Sequence, residues 1–493
     1  MGSTDKAGND LFDIIIVGAG ISGINAAYRI QTELPSASYT ILEARGGMGG
    51  TWDLFRYPGF RSDSDLYTFG FAWRPWAEPK VIADGDSIRK YIHESAALYG
   101  IDQKVKFHRK LVSANWSSDQ QTWALLVDEE GRKTHFYARF VILSTGYYDY
   151  DEALSSHIPG IEAFTGTVVH PQFWPEDLDY KDKKIIVVGS GSTAITLIPS
   201  LAETASHVIM LQRSPSYILA RPAIDPFGHW AQKLFPDWIA YRITRLKFLI
   251  LGFLFIKFCT FYPLAARNLI KKATLKELPD NIPHDPHFSP RYNPWEQRLC
   301  LCPDGDFFRA MRAGNASVVT DTITTVTETG IRLASGQTLD ADIIVTATGL
   351  KLKVAGGARI SVDNVPVTIG EKLLWKGVML QDVPNVATVI GYTNASWTLG
   401  ADATALLVTR LLKSMKAKGV TSAVPRREHS EGMKSVPALN LSSTYVVRGA
   451  KELPRTGDKA PWMPRSTYFS DLWGAKFGNI TDGLQFEKVS TAR

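Results

Sequence analysis

Apolar residues first gather at 12–17 (FDIIIV), a short run rich in β-branched side chains, and the glycine-rich turn Gly18-Ala19-Gly20-Ile21-Ser22-Gly23 follows at once. A helical periodicity then runs through Ile30, and YTILE at 39–43 reads as a second strand. The same strand–turn–helix–strand pattern returns with IIVV at 185–188, Gly189-Ser190-Gly191-Ser192-Thr193-Ala194, a helix to Ala202 and HVIMLQR at 207–213. Gly189 lies 171 residues beyond Gly18. That distance is too great for a tandem repeat and predicts one dinucleotide-binding unit inserted into another.

The remaining pattern fills in this α/β plan. TWALLV (122–127) and RFVILSTG (139–146) read as further strands of the first unit, residues 316–349 as strands of the second, NVATVIGYT (385–393) as a strand region, and Leu399 to Met415 as a helix. Residues 216–295 are aromatic, punctuated by proline and without strand alternation, so they read as a helical insertion. Residues 424–465 carry many Pro, Arg and Lys and read as an irregular surface tail. The expected partition is 1–152 with 380–493 for the first domain, 163–215 with 296–379 for the second, and 216–295 for the insertion beside a substrate site. Both domains are expected to be Rossmann-like.

A chain of 493 residues, 45% hydrophobic and 21% charged, suits two or three globular domains. The net charge of +6 forms no contiguous basic block, which gives no case for nucleic acid and suggests only a mild attraction for anionic cofactors. Cys259, Cys300 and Cys302 are too few and too sparse for a disulfide framework or a metal site, and they point to a reducing compartment. Residues 1–10 are polar and predict no signal peptide. The stretch 246–265 is nearly long enough to span a bilayer, but Lys247, Lys257 and Pro263 interrupt it. A buried or interfacial helix is the expectation, with shallow membrane contact left open. The resulting placement is cytoplasmic, with a peripheral membrane association open, and the oligomeric state is not legible.

The motifs carry the chemistry. In Gly18-x-Gly20-x-x-Gly23 the glycines allow a tight turn, close approach of a pyrophosphate and tight helix–strand packing, while the helix N-terminus offers N–H groups to the anion. Glu43 ends the next strand and suits ribose hydroxyls, so the first site prefers an unphosphorylated adenosine, FAD or NAD. In Gly189-x-Gly191-x-x-Ala194, with Ser192 and Thr193 inside the turn, the following strand ends in Arg213 rather than an acid. An arginine there binds a 2′-phosphate, which points to NADP.

This two-motif layout is similar to the class B flavoprotein monooxygenases. Between the motifs, Phe164, Gly166, His170, Trp174 and Pro175 match the fingerprint FxGxxxHxxxWP of the type I Baeyer–Villiger monooxygenases. The loop Gly49 to Asp65, with Gly50, Thr51, Trp52 and Asp63, and the segment 293–308 around Arg298, resemble the ethionamide-activating subgroup. The resemblance covers nearly all of 11–420. It implies FAD and NADPH as cofactors, O₂ and a small apolar ketone as substrates, an ester or lactone as product through a flavin-bound peroxide, Arg298 as the catalytic cation and Asp63 as the acid that holds it. His170 and Trp174 are expected in structural or hinge roles rather than as reactants. One departure is Gln297, where better-known relatives carry a lysine that aids NADP recognition; more of the phosphate preference then falls on Arg213.

Three rivals differ in class. An S- or N-oxygenase on the same scaffold is opposed by the Trp174-Pro175 ending. A disulfide reductase needs a CxxC near the flavin, which this chain lacks. A merely nucleotide-binding flavoprotein has no use for Arg298 and Asp63.

Overall fold

The computed structural model describes residues 11–427, 432–439 and 444–488. The polar segment 1–10 and parts of the expected irregular tail lie outside the described residues.

Two sheets organise the molecule. In the first, Leu11–Val17 lies between Tyr39–Leu42 and Arg132–Leu143 and is parallel to both. Its second half, Ile14–Val17, is buried on both faces and reads as an unbroken apolar run rather than an alternating one. Lys110–Ser117, Thr122–Glu129 and Arg132–Leu143 form an antiparallel meander at its side. The second sheet is wholly parallel, in the order Ala316–Thr320, His207–Gln212, Lys184–Val188, Ile343–Thr346, Thr167–Val169. Each sheet has the expected glycine turn and helix after a central strand: Ile21–Glu33 in the first, Ser192–Leu201 in the second. The helix Trp397–Lys418 returns to the first half, where Arg29 pairs with Asp402 at 2.8 Å and the Trp397 indole donates to the Ser22 hydroxyl.

Sheet pairing corrects the expected partition in two places. Arg359–Val362 pairs in parallel with Lys110–Ser117, and Leu374–Trp375 and Met379–Leu380 also join the first sheet, so part of 296–379 belongs with the first half. Ile218–Arg221, inside the stretch expected to be helical, pairs in parallel with Cys300–Pro303. Both pairings join residues far apart in sequence, which local periodicity does not encode. Most of residues 226–277 is helical, in Pro226–Leu234, Asp237–Phe261 and Pro263–Glu277, while 278–295 is largely irregular.

The chain crosses between the two sheets at 146–160 and again at 348–358. The crossings run antiparallel and touch. Asp149 N–H donates to the Lys351 carbonyl at 2.8 Å, and Lys353 N–H donates to the Tyr147 carbonyl at 3.0 Å. The Asp149 carboxylate is fully covered and ion-pairs with Lys351 (3.3 Å) and Lys353 (2.9 Å). Burial alone would raise its pKa, but hydrogen bonds from Lys353, the Asp151 N–H and Lys351 outweigh it and hold the carboxyl below its ordinary value.

Candidate active site

The two glycine turns are built from the same parts. Gly20 and Gly191 are the N-caps of their helices, no side chain caps either helix, and neither first turn contains an acid. Each helix therefore presents unpaired N–H groups and the positive end of its dipole, a ready seat for a pyrophosphate. Gly18 has φ +103°, and a Cβ there would sit 2.6 Å from the Ser144 carbonyl oxygen. At Gly23 a Cβ would meet the Gly18 carbonyl oxygen at 1.9 Å. A Cβ on Gly20 would approach only the Gly50 backbone, its Cα at 3.6 Å and its nitrogen at 3.9 Å, and one on Gly191 would meet nothing within 4 Å. The outer two glycines of the first turn thus serve the chain, while Gly20 and Gly191 keep space open for a ligand. Glu43 is buried, which raises its pKa, and its oxygens accept from the Ala19 N–H (2.7 Å) and the Arg45 N–H (2.9 Å). A carboxylate has about four acceptor positions, so two remain for hydroxyl groups. The residues present fit FAD at the first turn and a phosphorylated dinucleotide at the second, where Arg213 stands exposed one residue past its strand.

The loop 49–65 joins the two turns. Gly49 N–H donates to the Ala19 carbonyl, placing Gly50, Thr51 and Trp52 on the first turn. The Thr51 hydroxyl meets the Tyr150 hydroxyl at 3.1 Å, and Trp52 stacks on Phe60 with ring centres 4.9 Å apart. Further along, Tyr57 is buried beside Thr193. Asp63 accepts from the Ser192 hydroxyl at 3.1 Å. The Arg298 guanidinium lies 3.8 Å from the same Asp63 oxygen and also donates to the Tyr392 carbonyl at 3.4 Å. Asp63 therefore stands between Arg298 and the mouth of the second turn.

Arg298 and Asp63 line one wall of a cavity of about 410 Å³. Its other walls are largely apolar, with Phe248, Phe253, Phe255 and Ile256 contributed by the helical insertion. Cys300 sits behind this wall, 3.9 Å from the Ser192 hydroxyl, and burial pushes its thiol up to about 12, so it stays protonated.

The fingerprint segment lies at the seam between the halves. Thr167–Val169 is the edge strand of the second sheet. A Cβ on Gly166 would collide with the Asp342 carbonyl oxygen at 2.3 Å, and Phe164 is buried in the core beneath. His170 accepts the Gln172 N–H at 3.2 Å, and burial lowers its pKa, keeping the ring neutral. The Gln172 amide reaches back to the Asp149 carbonyl at 2.6 Å. Trp174, followed by Pro175, packs in one core with Phe55 and Tyr57 of the 49–65 loop. Neither His170 nor Trp174 lines the cavity.

Sequence reasoning passed over Tyr57, Tyr150 and Tyr392. Tyr57 sits inside the quoted loop, but its residue type signals no role. Tyr392 acts through a backbone carbonyl, which no side-chain motif reveals.

A model described as flavin-binding monooxygenase-like matches residues 78–245, and one described as an NAD(P)-binding Rossmann-like domain matches residues 16–77. The FAD-containing monooxygenase EthA of Mycobacterium tuberculosis is 46% identical over 478 residues, covering 97% of this chain and 98% of that one. Among solved structures, an oxidized steroid monooxygenase bound to NADP superposes with a TM-score of 0.77 at 20% identity, over 97% of this chain and 100% of its own. The polycyclic ketone monooxygenase of Thermothelomyces thermophila gives 0.73 at 18% identity, over 99% and 91%. At those identities the two structures speak for the shared fold. With 46% identity to EthA over nearly the full length of both chains, the glycine turns and the loop between them, this chain belongs to the flavin-binding monooxygenase-like family, alongside the FAD-containing monooxygenases.

Proposed function

We propose that the protein is an NADPH- and O₂-dependent Baeyer–Villiger monooxygenase acting on an apolar ketone: ketone, O₂, NADPH and a proton give an ester or lactone, water and NADP⁺. FAD is held at the first turn with Glu43 on its ribose, and NADPH at the second with Arg213 on its 2′-phosphate. Bound FAD supplies the two-electron activation of O₂ that NADPH pays for. The observation that carries the reading is the Arg298–Asp63 pair on the wall of an apolar cavity.

Arg298 carries a fixed positive charge, and the largely apolar wall facing it weakens the screening of that charge. A fixed cation there stabilises negative charge on the oxidising oxygen and on the carbonyl oxygen it attacks. Asp63 and the Tyr392 carbonyl hold the guanidinium in place, and the Ser192 hydroxyl in turn holds Asp63. Sulfur or amine oxygenation needs an electrophilic oxygen, which such a cation does not specifically favour over the nucleophilic form, and this is why the ketone reading is preferred to that alternative.

The test compares Arg298→Ala with wild type on a ketone and a sulfide. Ester formation should fall roughly 100- to 1000-fold, as when an oxyanion donor is removed, while flavin reduction by NADPH persists. Normal ester formation in that variant would end the assignment of Arg298; abundant sulfoxide with no ester from either protein would favour the alternative.

A further inference from the structure

We propose that the helical insertion docks this protein on an anionic phospholipid bilayer, with the mouth of the cavity at the lipid surface. The long helix Asp237–Phe261 has two faces. Its inner face is fixed to the first half: the Tyr241 hydroxyl donates to the Phe71 carbonyl at 2.9 Å, and the buried Arg245 donates to the Gly70 carbonyl at 3.0 Å. Its outer face is apolar and uncovered. Trp238, Leu246, Ile250, Leu254 and Phe261 follow one another at spacings of four, seven or eight residues and stand 57%, 51%, 42%, 54% and 66% exposed. Isolated exposed apolar residues are ordinary, but a continuous stripe of large ones marks a contact surface. A second stripe, Phe469, Trp473 and Phe477, repeats every four residues on the helix Tyr468–Phe477. The two helices meet where Phe253 packs edge-on against Phe469, ring centres 5.7 Å apart.

Among the described residues no single helix is long and apolar enough to cross a bilayer; Asp237–Phe261 and Pro263–Glu277 reach that length and apolarity only as a pair, and the pair is bent by 116°. Such a bend suits an element lying in the interface.

Charge selects the occupant. Residues 225–277 hold nine Lys or Arg and three Asp or Glu, a net +6; Arg245 is buried on the inner face and Lys247 pairs with Asp225, so the excess toward solvent comes from the other cations. No basic block is visible in the sequence because the cations are interleaved with apolar residues; folding gathers them on a few helices. Arg242 lies over the Trp238 ring at 5.4 Å and Lys257 over Phe261 at 5.5 Å. Aromatic side chains with cations at their rims are the composition of a membrane interface, where long basic side chains reach the headgroups while their stems stay in apolar surroundings. A second copy of this chain fits less well, because a two-fold contact would press like charge against like.

The cavity turns this surface to use. Ile224, Lys257 and Thr260 are exposed and also line the cavity, so its rim lies beside the outer stripe. An apolar substrate dissolved in lipid would enter without crossing water. The docking itself stands apart from which substrate is oxygenated.

The experiment uses the full-length, flavin-loaded protein and sedimentation with two kinds of vesicle: phosphatidylcholine alone, and phosphatidylcholine with a quarter phosphatidylglycerol. Wild type should bind the anionic vesicles at least ~10-fold more tightly than the neutral ones, and added salt should weaken that binding. The variant Leu246→Glu/Ile250→Glu/Leu254→Glu should lose ~10-fold or more of it. Its NADPH consumption on a water-soluble substrate should stay unchanged, since none of the three residues lines the cavity. Should that variant not fold, Trp473→Ser/Phe477→Ser on the other helix should give the same direction of change. Equal binding by wild type and folded variant, or equal binding to both vesicles, overturns the proposal. So does a wild-type oligomer that the substitutions dissociate while neither protein binds vesicles; that result would make the face an interface between copies.

Discussion

At the first glycine turn, Gly20 looks onto Gly50 of an overlying loop, and Glu43 is buried at the strand end. At the second, Gly191 opens onto empty space and Arg213 stands in solvent. The backbone plan is the same and the degree of enclosure is opposite. The 49–52 segment covers the first turn, whereas nothing stands within 4 Å of the space in front of Gly191. Enclosure of this kind separates a group retained through many cycles from a coenzyme that comes and goes in each, which is the division of labour that hydride transfer from NADPH to FAD requires.

The contrast can be broken most severely at Gly23. In Gly23→Ala the new methyl would stand 1.9 Å from a carbonyl oxygen, so no soluble yellow protein should be recovered. Gly20→Ala sharpens the point: its methyl meets protein only at ordinary contact distance, so the thermal midpoint should hold while FAD affinity drops roughly 10-fold, from about 1–3 kcal/mol of overpacking against the ligand. A Gly20→Ala protein that keeps its flavin fully would show that the cofactor does not approach this turn.

On the open side the effects should fall on the coenzyme alone. Arg213→Ala should raise KM for NADPH roughly 10-fold or more and leave NADH nearly untouched, as expected for a charge-assisted contact worth about 1.5–3 kcal/mol. Equal changes for both would remove Arg213 from the phosphate. Gly191→Ala should raise KM for NADPH by about 3-fold with the flavin content constant, since its methyl meets no protein atom and costs only part of an overpacking penalty.

The smallest effect concerns the seam. Burial holds His170 below its unfolded value of 6.5. Above pH 6.5 the ring is neutral both folded and unfolded and costs nothing. As pH falls from 6.5 toward the lowered folded value, the unfolded chain takes up a proton that the folded one refuses, and stability declines. Thermal midpoints of wild type and His170→Asn, compared between pH 7.5 and 5.5, should therefore diverge on the acid side only. Parallel curves would mean that the imidazole is not shielded.

Both glycine units, their strands and the acid-for-arginine exchange between Glu43 and Arg213 were legible in the sequence, because each is written in contiguous residues with a physical reason for every position. The Arg298–Asp63 pairing was legible only through family resemblance; 235 residues separate the two, and no local period links them. Parallel pairing of 359–362 with 113–116 was not legible, since strands joined across the whole fold leave no mark on local alternation. The stretch 246–265 was seen to be apolar, but apolarity alone does not say which face of a helix is covered. The long helix lines a cavity on one side and is bare on the other.

The paired crossings at Tyr147–Asp151 and Lys351–Lys353 have a mechanical consequence. Two separate tethers would let the halves twist and drift independently, whereas two tethers laced together act as one strap. The strap lies beside the Gln172 contact to Asp149, so any swing of the second half about it would be felt first at the fingerprint segment. A residue inserted into one crossing and not the other would throw the lacing out of step and shift the axle on which the halves turn.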